Sequence, residues 1–314
     1  MPSCAICQFR KTKFFHKIDR YAYYQCSRCI TLFLYPKPTL RQIANYYKKS
    51  FKYLAGETNE KLIRARAKLI LNNLNKINPV GKNLLDIGSG YGYFLDEADK
   101  IGLNTEGIEP AKALYSASIN RLIEADIKNC SFAEYFKLKP KKKFDFITII
   151  HTIEHLLNPQ ETIFEAIKLL NSGGILYIET PNLNSHLFTA EKQNYTFLTP
   201  PDHIWLFSLK SFHYLLRNYK NVACLKTSTY SYPEHFMGII KHILSKKGFL
   251  SHPEFISGSD FKKLQLLKQV RYDKKKNLKS IKYLLIDKFF APLLTPILNL
   301  GIYGSILELY IKKK

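Results

Sequence analysis

Four cysteines near the N-terminus have the spacing of a metal site. Cys4 and Cys7 form one C-x-x-C pair, and Cys26 and Cys29 form a second pair eighteen residues later. Each pair directs two thiolates to one point, and two facing pairs complete a tetrahedral Zn²⁺ site. Because four thiolates leave no open coordination position, we expect a structural zinc within a small ribbon over residues 1–38. The alternative is a redox-active dithiol, which needs one C-x-x-C of low thiol pKa rather than two matched pairs.

A second group of candidate residues lies in the stretch "LLDIGSGYGYF". Asp86 precedes glycines at every second position, namely Gly88, Gly90 and Gly92, which indicates a backbone that approaches a ligand closely. A strand that ends in a glycine-rich turn before a helix is a nucleotide site in open α/β folds. The stretch lacks the Gly-Lys-Ser/Thr end of a P-loop, and Tyr93 replaces the third glycine of a dinucleotide fingerprint.

The remaining pattern favours a ligand that carries cationic groups and no phosphate. S-adenosylmethionine has a sulfonium and an α-ammonium, and Asp86 can hold the ammonium directly or through water. Glu109 ends the second predicted strand, where a carboxylate accepts hydrogen bonds from both ribose hydroxyls. Asp126 is expected at the end of the third strand, placed to accept from the adenine amino group. The sequence therefore predicts S-adenosylmethionine as the cofactor.

The rest of the chain supplies the elements that must position these residues. From residue 82 onward, predicted strands and helices alternate, which favours a parallel sheet with helices on both faces. The preceding segment is predicted to be helical, with Leu62, Ala65 and Leu69 on its apolar side and basic residues opposite. The expected organisation is a ribbon at 1–38, a helical linker or lid at 39–79, a core at 80–231, an insertion or lid at 232–280, and a last helix and strand at 281–314.

Four stretches resemble successive motifs of class I S-adenosylmethionine-dependent methyltransferases: "LLDIGSGYGYFL", "GIEP", "FDFITIIHTIEHLLNP" and "SGGILYIETPN". The subgroup they resemble includes ubiquinone-biosynthesis-type and bacterial sugar methyltransferases. The resemblance covers about residues 80–230 and the final strand. It implies a Rossmann-like α/β fold, a seven-stranded doubly wound sheet with an antiparallel last strand. Some sugar C-methyltransferases also carry an N-terminal four-cysteine zinc domain, which the cysteine pairs match.

The same resemblance points to three catalytic candidates. Methyl transfer mainly requires an aligned nucleophile and, where needed, a base. The segment "TPPDHIWLFS" is similar to a family segment whose acid–histidine pair includes the proposed base, which implies Asp202 and His203. A proline stands at the family's tyrosine position, so an oxygen nucleophile is expected at least as readily as carbon.

The third catalytic candidate is His151, which directly follows the fourth predicted strand. The resemblance places the "HTIEH" segment at the mouth of the cofactor and substrate site. The pattern H-x-x-E-H would suggest a catalytic zinc if it lay on a long helix and a third ligand were present. Here it is expected on a strand-to-helix turn, which favours a site contact by His151 and a structural role for His155.

The leading hypothesis is a methyltransferase (EC 2.1.1.-) for a small-molecule or glycan acceptor, such as a sugar, nucleotide-sugar or lipid-linked glycan, modified on oxygen or carbon. The net charge of +23 attracts anionic partners, but the lysines are scattered rather than gathered on one element. An RNA methyltransferase is therefore a less favoured alternative, so nucleic acid is a possible partner but not the expected one. The other alternative is a non-catalytic zinc-ribbon interaction protein on a degenerate methyltransferase fold.

Two features bear on location. The N-terminus has no apolar stretch of signal-peptide length, which favours a cytoplasmic protein. Residues 289–307 are uncharged and long enough to reach across a bilayer, although prolines and glycines interrupt them. We expect packing, or peripheral membrane contact through residues 289–304, rather than a membrane span.

Overall fold

The computed structural model describes residues 1–54, 60–120, 126–138, 140–232, 235, 301 and 303–314, with the side chains of residues 48–54 left aside. The chain divides into two compact units. One consists of Met1–Leu183, Phe197–Ser228 and Ile306–Lys314, and the other of Asn184–Thr196 and Thr229–Ser305. All candidate site residues discussed below, except one aromatic group, lie in the first unit.

The N-terminal part of the chain contains three strands followed by two helices. They are β1 (Thr12–Ile18), β2 (Tyr21–Cys26), β3 (Leu32–Tyr35), α1 (Leu40–Leu54) and α2 (Glu60–Ile77).

Strands and helices then alternate through the first part of the core. They are β4 (Asn83–Ile87), α3 (Tyr93–Asp99), β5 (Asn104–Ile108), α4 (Lys112–Ile119), β6 (Asp126–Lys128), α5 (Phe132–Lys137), β7 (Phe144–Ile150), α6 (Pro159–Leu169) and β8 (Leu170–Pro181). The described elements that follow are α7 (His186–Glu191), β9 (Trp205–Leu206), α8 (Leu209–Leu216), β10 (Val222–Tyr230) and β11 (Ile306–Lys313).

Seven strands form the main sheet in the order β10-β11-β8-β7-β4-β5-β6. The neighbours β4, β5, β6, β7 and β8 pair in parallel, whereas β11 runs antiparallel to β8 from Ile306↔Pro181 to Lys312↔Ile175. The sequence "FDFITII" of β7 is almost entirely apolar, as expected for a central strand covered on both faces. The predicted seven-stranded α/β sheet with an antiparallel last strand is confirmed.

The buried face of α2 differs from the predicted one. Leu62, Ala65 and Leu69 are exposed, so the prediction of that face was wrong. Apolar residues occur on more than one side of this helix, and spacing alone does not choose between them. The buried residues of α2 are Ala67, Ile70, Leu71 and Leu74. They join a core cluster that includes Leu84, Phe146 and Tyr177 of the sheet.

Arg66 lies on the core side of α2, where two buried carboxylates accept its hydrogen bonds. Its Nη2 donates to Glu179 Oε2 at 2.8 Å and also contacts Glu308 Oε1. Glu179 and Glu308 are register partners on β8 and β11, and Tyr177 Oη donates to Glu179 Oε2 at 2.6 Å. One guanidinium therefore compensates two carboxylates that have been removed from water.

The cysteine-bearing segment forms a second, four-stranded sheet in the order β1-β2-β3-β9. Its fourth strand, β9, comes from the core part of the chain and pairs through Leu32↔Leu206 and Phe33↔Trp205. Strand β9 was not predicted from the sequence, because two residues are too few to show an alternation of apolar and polar side chains. Helix α5 was not predicted either, although Ser131 and Glu134 form a capping box at its start.

Within the described part of the chain, no helix combines the length and apolarity needed to cross a membrane. The segment proposed for peripheral contact, residues 289–304, falls almost entirely outside the described residues. That contact remains a prediction.

We predict that Arg66→Met lowers the free energy of unfolding by about 3 kcal/mol, because Glu308 then keeps a buried charge without its cation and Glu179 retains only His151. Urea denaturation at pH 7 measures the loss. Lowering the pH should recover part of it, since protonation of the carboxylates removes the unpaired charge.

The matched control is Lys68→Met. The Lys68 side chain is 71% exposed and lies 3.5 Å from Glu97, so its loss should cost less than about 1 kcal/mol. Equal losses in the two variants would show that the Arg66 network carries no special stability.

Candidate functional site

The glycine turn after β4 adopts the backbone that its sequence requires. Gly88, Gly90 and Gly92 have φ angles of 81°, 56° and 76°, in the left-handed region that other residues rarely enter. The amides of Gly88 and Ser89 donate to the carbonyl of Ile108 at 2.8 and 3.0 Å. These bonds attach the turn to the carboxyl end of β5.

The turn leaves different amounts of room at its glycines. A Cβ on Gly88 would lie 2.3 Å from Thr152 Oγ1, so this glycine is required by packing inside the protein. A Cβ on Gly90 would meet no heavy atom within 4 Å. Gly90 thus faces open space at the carboxyl edge of the parallel strands, where α/β folds bind ligands.

Two buried carboxylates flank this space. Asp86 accepts from Thr148 Oγ1 at 2.6 Å, and burial raises the pKa of Asp86 to about 7, opposed by that bond and assisted by the charge of Glu109. Glu109 Oε2 accepts from the Gly90 amide at 2.9 Å and Oε1 from the Ala111 amide at 2.7 Å. Burial raises the pKa of Glu109 as well. A cationic ligand at this edge would stabilise both groups in their charged forms.

This arrangement fits S-adenosylmethionine on its donor set. The acids provide acceptors for an ammonium and for ribose hydroxyls, and the open side of Gly90 admits a ligand against the backbone. The cofactor-binding roles of Asp86, Gly88, Gly90, Gly92 and Glu109 remain predictions that the geometry is compatible with.

Asp126 lies on β6, close to the predicted end of the third strand. The described part of β6 is Asp126–Lys128, and Asp126 pairs with Glu106 within β5 rather than beyond the strand end. Its side chain is 58% exposed and lies 2.7 Å from Lys128 Nζ, two residues along the same strand face. The strand ends at Lys128, one residue beyond its predicted end at Ile127, and the adenine contact of Asp126 stays a prediction. Asn129 follows the strand and donates to the Glu109 carbonyl at 2.8 Å.

The predicted pair Asp202 and His203 lies beside the "HTIEH" segment. His155 Nδ1 is 3.0 Å from Asp202 Oδ1, and Tyr47 Oη of α1 donates to the same carboxylate oxygen at 2.6 Å. Burial opposes the charge on His155, but Asp202 outweighs it and raises the pKa of His155 to about 9. Burial would raise the pKa of Asp202, yet His155 keeps it below its usual value. The two form a partly buried ion pair.

The pKa of His203 is shifted in the opposite direction from that of His155. Its Nδ1 is 2.7 Å from the Phe197 carbonyl oxygen, which can only accept, so Nδ1 carries the proton. The Nε2 atom of the neutral ring then holds a free lone pair. Burial lowers the pKa of His203, and the charge of His155, whose ring centroid is 4.8 Å away, lowers it further. His203 is therefore a neutral imidazole at pH 7.

His151 lies directly after β7, with φ of 47°, and is one-third exposed. Its Nε2 is 3.2 Å from Glu179 Oε1 and its Nδ1 is 3.5 Å from Glu154 Oε1. Burial alone would lower its pKa, but the two carboxylates raise the pKa of His151 to about 10. Because both ring nitrogens face carboxylates, the imidazolium form fits this place best. A group held in this form does not accept a proton at neutral pH.

Glu154, His155 and His203 have potential ligand atoms within 4.8 Å of one another. This set differs from the metal alternative considered for "HTIEH", since His203 takes the place of His151. The Nδ1 atoms of both histidines already face oxygen acceptors, and Glu154 Oε2 accepts from Thr180 at 2.9 Å. We interpret the cluster as acid–base machinery.

The four cysteines do converge. Cys4 Sγ is 3.5 Å from Cys29 Sγ, Cys7 Sγ is 3.4 Å from Cys26 Sγ, and all four sulfurs lie within 4.8 Å of one another. The residues after the two pairs, Gln8 and Ile30, both have positive φ, so the two knuckles have the same backbone shape. All four side chains are buried. A tetrahedral divalent cation fits this donor set.

The cysteine module also holds the segment that carries His203. Tyr23 Oη of β2 donates to the His203 carbonyl at 2.7 Å, and the Leu34 amide donates to the Ile204 carbonyl at 2.9 Å. The Cys29 carbonyl accepts from Ser208 Oγ and Ser211 Oγ, each at 3.2 Å. These hydrogen bonds thus attach the backbone around His203 to the four-stranded sheet of the cysteine-bearing segment.

Sequence analysis missed three residues that shape the site. Thr148 and Glu179 are polar side chains inside otherwise apolar strands, an anomaly that could have marked them. Tyr47 gave no signal, because its contact with Asp202 spans 155 positions. In the second unit, Tyr230, Tyr232 and His235 form an aromatic group, while Glu234 lies outside the described residues.

The strand order, with antiparallel β11 beside β8, and the glycine turn followed by an acid after the next strand define a class I methyltransferase fold. A family model described as a methyltransferase domain matches residues 57–220, just over half of the chain. The chain belongs to this methyltransferase family, and the resemblance found in its motifs is confirmed.

Curated relatives match a part of the chain. The ubiquinone biosynthesis O-methyltransferase of Coxiella burnetii (strain RSA 493 / Nine Mile phase I) is 28% identical over 141 residues, 40% of this chain and 60% of that protein. The protein of the same name from Pelagibacter ubique (strain HTCC1062) is 35% identical over 119 residues, 36% of this chain and 48% of that protein. The chain thus spans between 48% and 60% of these relatives' lengths.

Solved structures share the fold. A SAM-dependent methyltransferase from Archaeoglobus fulgidus superposes with a TM-score of 0.50 at 18% identity, covering 86% of this chain and 99% of that one. A plantazolicin methyltransferase, BpumL, solved with a desmethylPZN analog and SAH, has a TM-score of 0.50 at 16% identity and covers 86% and 91%. At these identities the likeness concerns the fold alone.

We predict that NMR titration finds the His155 ring titrating near pH 9 and the His203 ring below its ordinary value of about 6.5. In Asp202→Asn the His155 pKa should fall toward that ordinary value, because the carboxylate that stabilises the imidazolium is gone.

The same pair contributes to stability. Since the folded pKa of His155 is raised, its contribution is fully present below about pH 6.5 and is lost as the pH rises through about 9. Asp202→Asn should flatten the unfolding free energy across this window. An unchanged His155 titration in the variant would contradict the ion pair.

Proposed function

We propose that this protein catalyses S-adenosylmethionine-dependent methyl transfer to a hydroxyl of a small-molecule or glycan acceptor. Membership of the methyltransferase family supports the reaction class. The observation that carries the proposal is His203, a neutral imidazole whose Nδ1–H is held by the Phe197 carbonyl. The curated relatives are named O-methyltransferases, which supports an oxygen nucleophile.

The cofactor would be held at the carboxyl edge of the parallel strands. Gly90 offers a backbone without a side chain, Asp86 an acceptor for the amino group, and Glu109 acceptors for the ribose hydroxyls. When bound, the cofactor supplies a methyl group activated by its sulfonium. The residues of this chain would orient the acceptor, exclude water and remove its proton.

His203 is proposed as the general base. Its Nε2 takes the acceptor's proton, and Nδ1 stays protonated through its bond to Phe197. The adjacent ion pair of His155 and Asp202 keeps His203 neutral, because a second positive charge so close is unfavourable. His151 faces two carboxylates and is assigned to positioning.

We further propose a structural Zn²⁺ at Cys4, Cys7, Cys26 and Cys29. Four thiolates so close together repel one another, and a divalent cation removes that repulsion. The metal would fix the knuckles and, through β2 and β3, the backbone on either side of His203.

Gly90→Ala should weaken S-adenosylhomocysteine binding at least about tenfold in calorimetry, because the new methyl projects into the cofactor space. Gly102→Ala is a matched control, since Gly102 also has positive φ and open space around its Cβ position. Both variants should lose similar stability, so a difference in binding reports on the cofactor site alone. Equal affinities of the two variants for S-adenosylhomocysteine would place the cofactor elsewhere.

The base is tested with labelled methyl transfer to small-molecule and glycan fractions, with the product identified by mass spectrometry. His203→Gln should lower kcat by roughly 10²–10⁴-fold with little change in cofactor affinity. The wild-type rate should fall as the pH drops below the depressed His203 pKa, and the variant should lack this limb. The control is His213→Gln, an exposed position on α8. Equal rates in both variants would remove His203 as the base.

For the metal site, we predict one zinc per chain by elemental analysis, lost in Cys26→Ser and retained in Cys224→Ser, whose cysteine is exposed and unclustered. Loss of zinc should also lower kcat through the displaced His203 segment while cofactor binding persists. Wild-type protein purified without any metal in metal-replete medium would overturn the assignment.

A further inference from the structure

The β1-β2-β3 sheet carries aromatic rings on its solvent side. Phe14 is directly opposite Tyr24, and Tyr24 is opposite Phe33, so the three side chains share one face. Ring centroids are 5.9 Å apart for Phe14 and Tyr24, and 6.1 Å apart for Tyr24 and Tyr35. Phe14 is 55% exposed and Tyr35 is 49% exposed. We call Phe14, Tyr24 and Tyr35 the aromatic face.

This face is not the core side of the sheet. The opposite side buries Tyr23, Leu32 and Leu34, and the solvent side of an antiparallel sheet is usually polar. Three large rings at solvent-facing positions form an exposed apolar patch, a feature that marks interaction sites. At the β9 edge of the sheet, the row of rings ends at Phe33. The centroid of the Phe33 ring lies 6.1 Å from that of buried Trp205, so this end of the row is packed.

The segment that carries the face is strongly positive. Residues 1–38 contain a single acidic residue, Asp19. Their basic residues are Arg10, Lys11, Lys13, Lys17, Arg20, Arg28 and Lys37. Lys17 and Tyr35 both stand opposite Ala22, which puts this exposed lysine on the aromatic face. Lys37 Nζ lies 5.0 Å from the Trp205 ring centroid. The positive excess persists after the charge of about −2 that a zinc tetrathiolate adds.

We propose that the aromatic face binds single-stranded nucleic acid, with bases stacked on Phe14, Tyr24 and Tyr35 and phosphates neutralised by Lys17 and its basic neighbours. Flat bases on an anionic backbone are the ligand that matches exposed rings among lysines. A neutral glycan would use the rings without the charge, and a polyanion without bases would use the charge without the rings. The binding site is separate from the methyl-transfer site and holds whether or not that reaction is found.

The test is fluorescence anisotropy of the full chain with a labelled oligouridine of about twenty nucleotides, long enough to cover the face. An abasic oligomer of the same length and heparin are the comparison ligands. We expect the oligouridine to bind more tightly than the abasic oligomer, with affinity falling as salt rises. Equal binding of all three ligands would reduce the interaction to nonspecific charge and overturn the proposal.

Paired variants locate the site. Phe14→Ala and Tyr24→Ala should each weaken oligouridine binding roughly fivefold or more, and Phe14→Trp should retain it. Phe164→Ala is the control, since Phe164 is a 43% exposed ring on α6. Lys17→Glu should weaken binding more than Lys76→Glu, an exposed lysine on α2. Melting curves and zinc content verify that each variant is folded.

Photo-crosslinking gives an independent readout. Irradiation of the complex should attach uridine to peptides from residues 12–35. Crosslinks confined to other parts of the chain, or equal affinities of Phe14→Ala and Phe164→Ala, would show that the aromatic face is not the binding surface.

Discussion

Buried carboxylates at one edge of the main sheet are the constraint on which the rest of this structure depends. Asp86, Glu109, Glu154 and Glu179 are all nearly inaccessible to solvent, and charges removed from water require compensation. Their partners are of three kinds: a threonine hydroxyl for Asp86, backbone amides for Glu109, and positively charged side chains for the other two glutamates. The choice of partner then decides what each acid can do.

Compensation also divides the three histidines into distinct roles. His151 lies between two glutamates and His155 against Asp202, so both are held as imidazolium ions. His203 faces a carbonyl instead, and the nearby charge of His155 disfavours its protonation. Residues of one chemical type thus become two cations and one neutral base through their neighbours alone. The neutral one is the base that we propose for methyl transfer.

The cysteine module belongs to the same arrangement rather than standing beside it. Its sheet is completed by β9, and its Tyr23 hydroxyl and Cys29 carbonyl bond to the segment around His203. Its inner side therefore supports the candidate base, while its outer side presents the aromatic face. A small module that could not build a sufficient core alone gains stability from this shared sheet and would gain more from the proposed metal.

Local patterns in the sequence determined the fold class, the glycine turn, Asp86, Glu109 and the four cysteines. Each of these depends on residues within one turn, one strand or one short spacing, where backbone geometry acts directly. The buried face of helix α2 could not be predicted in this way. The period of this helix was correct, but its buried face is the one that packs against the sheet, where Arg66 also contacts glutamates 113 and 242 positions away.

The same limit applies at the site. The register that places Asp126 opposite Glu106 is a pairing between segments, which no single segment records. The protonation states of the histidines, the contact of Tyr47 with Asp202 and the pairing of β3 with β9 also join residues far apart in the chain. Only the tertiary structure decided these, since pKa values and registers arise from neighbours that folding brings together.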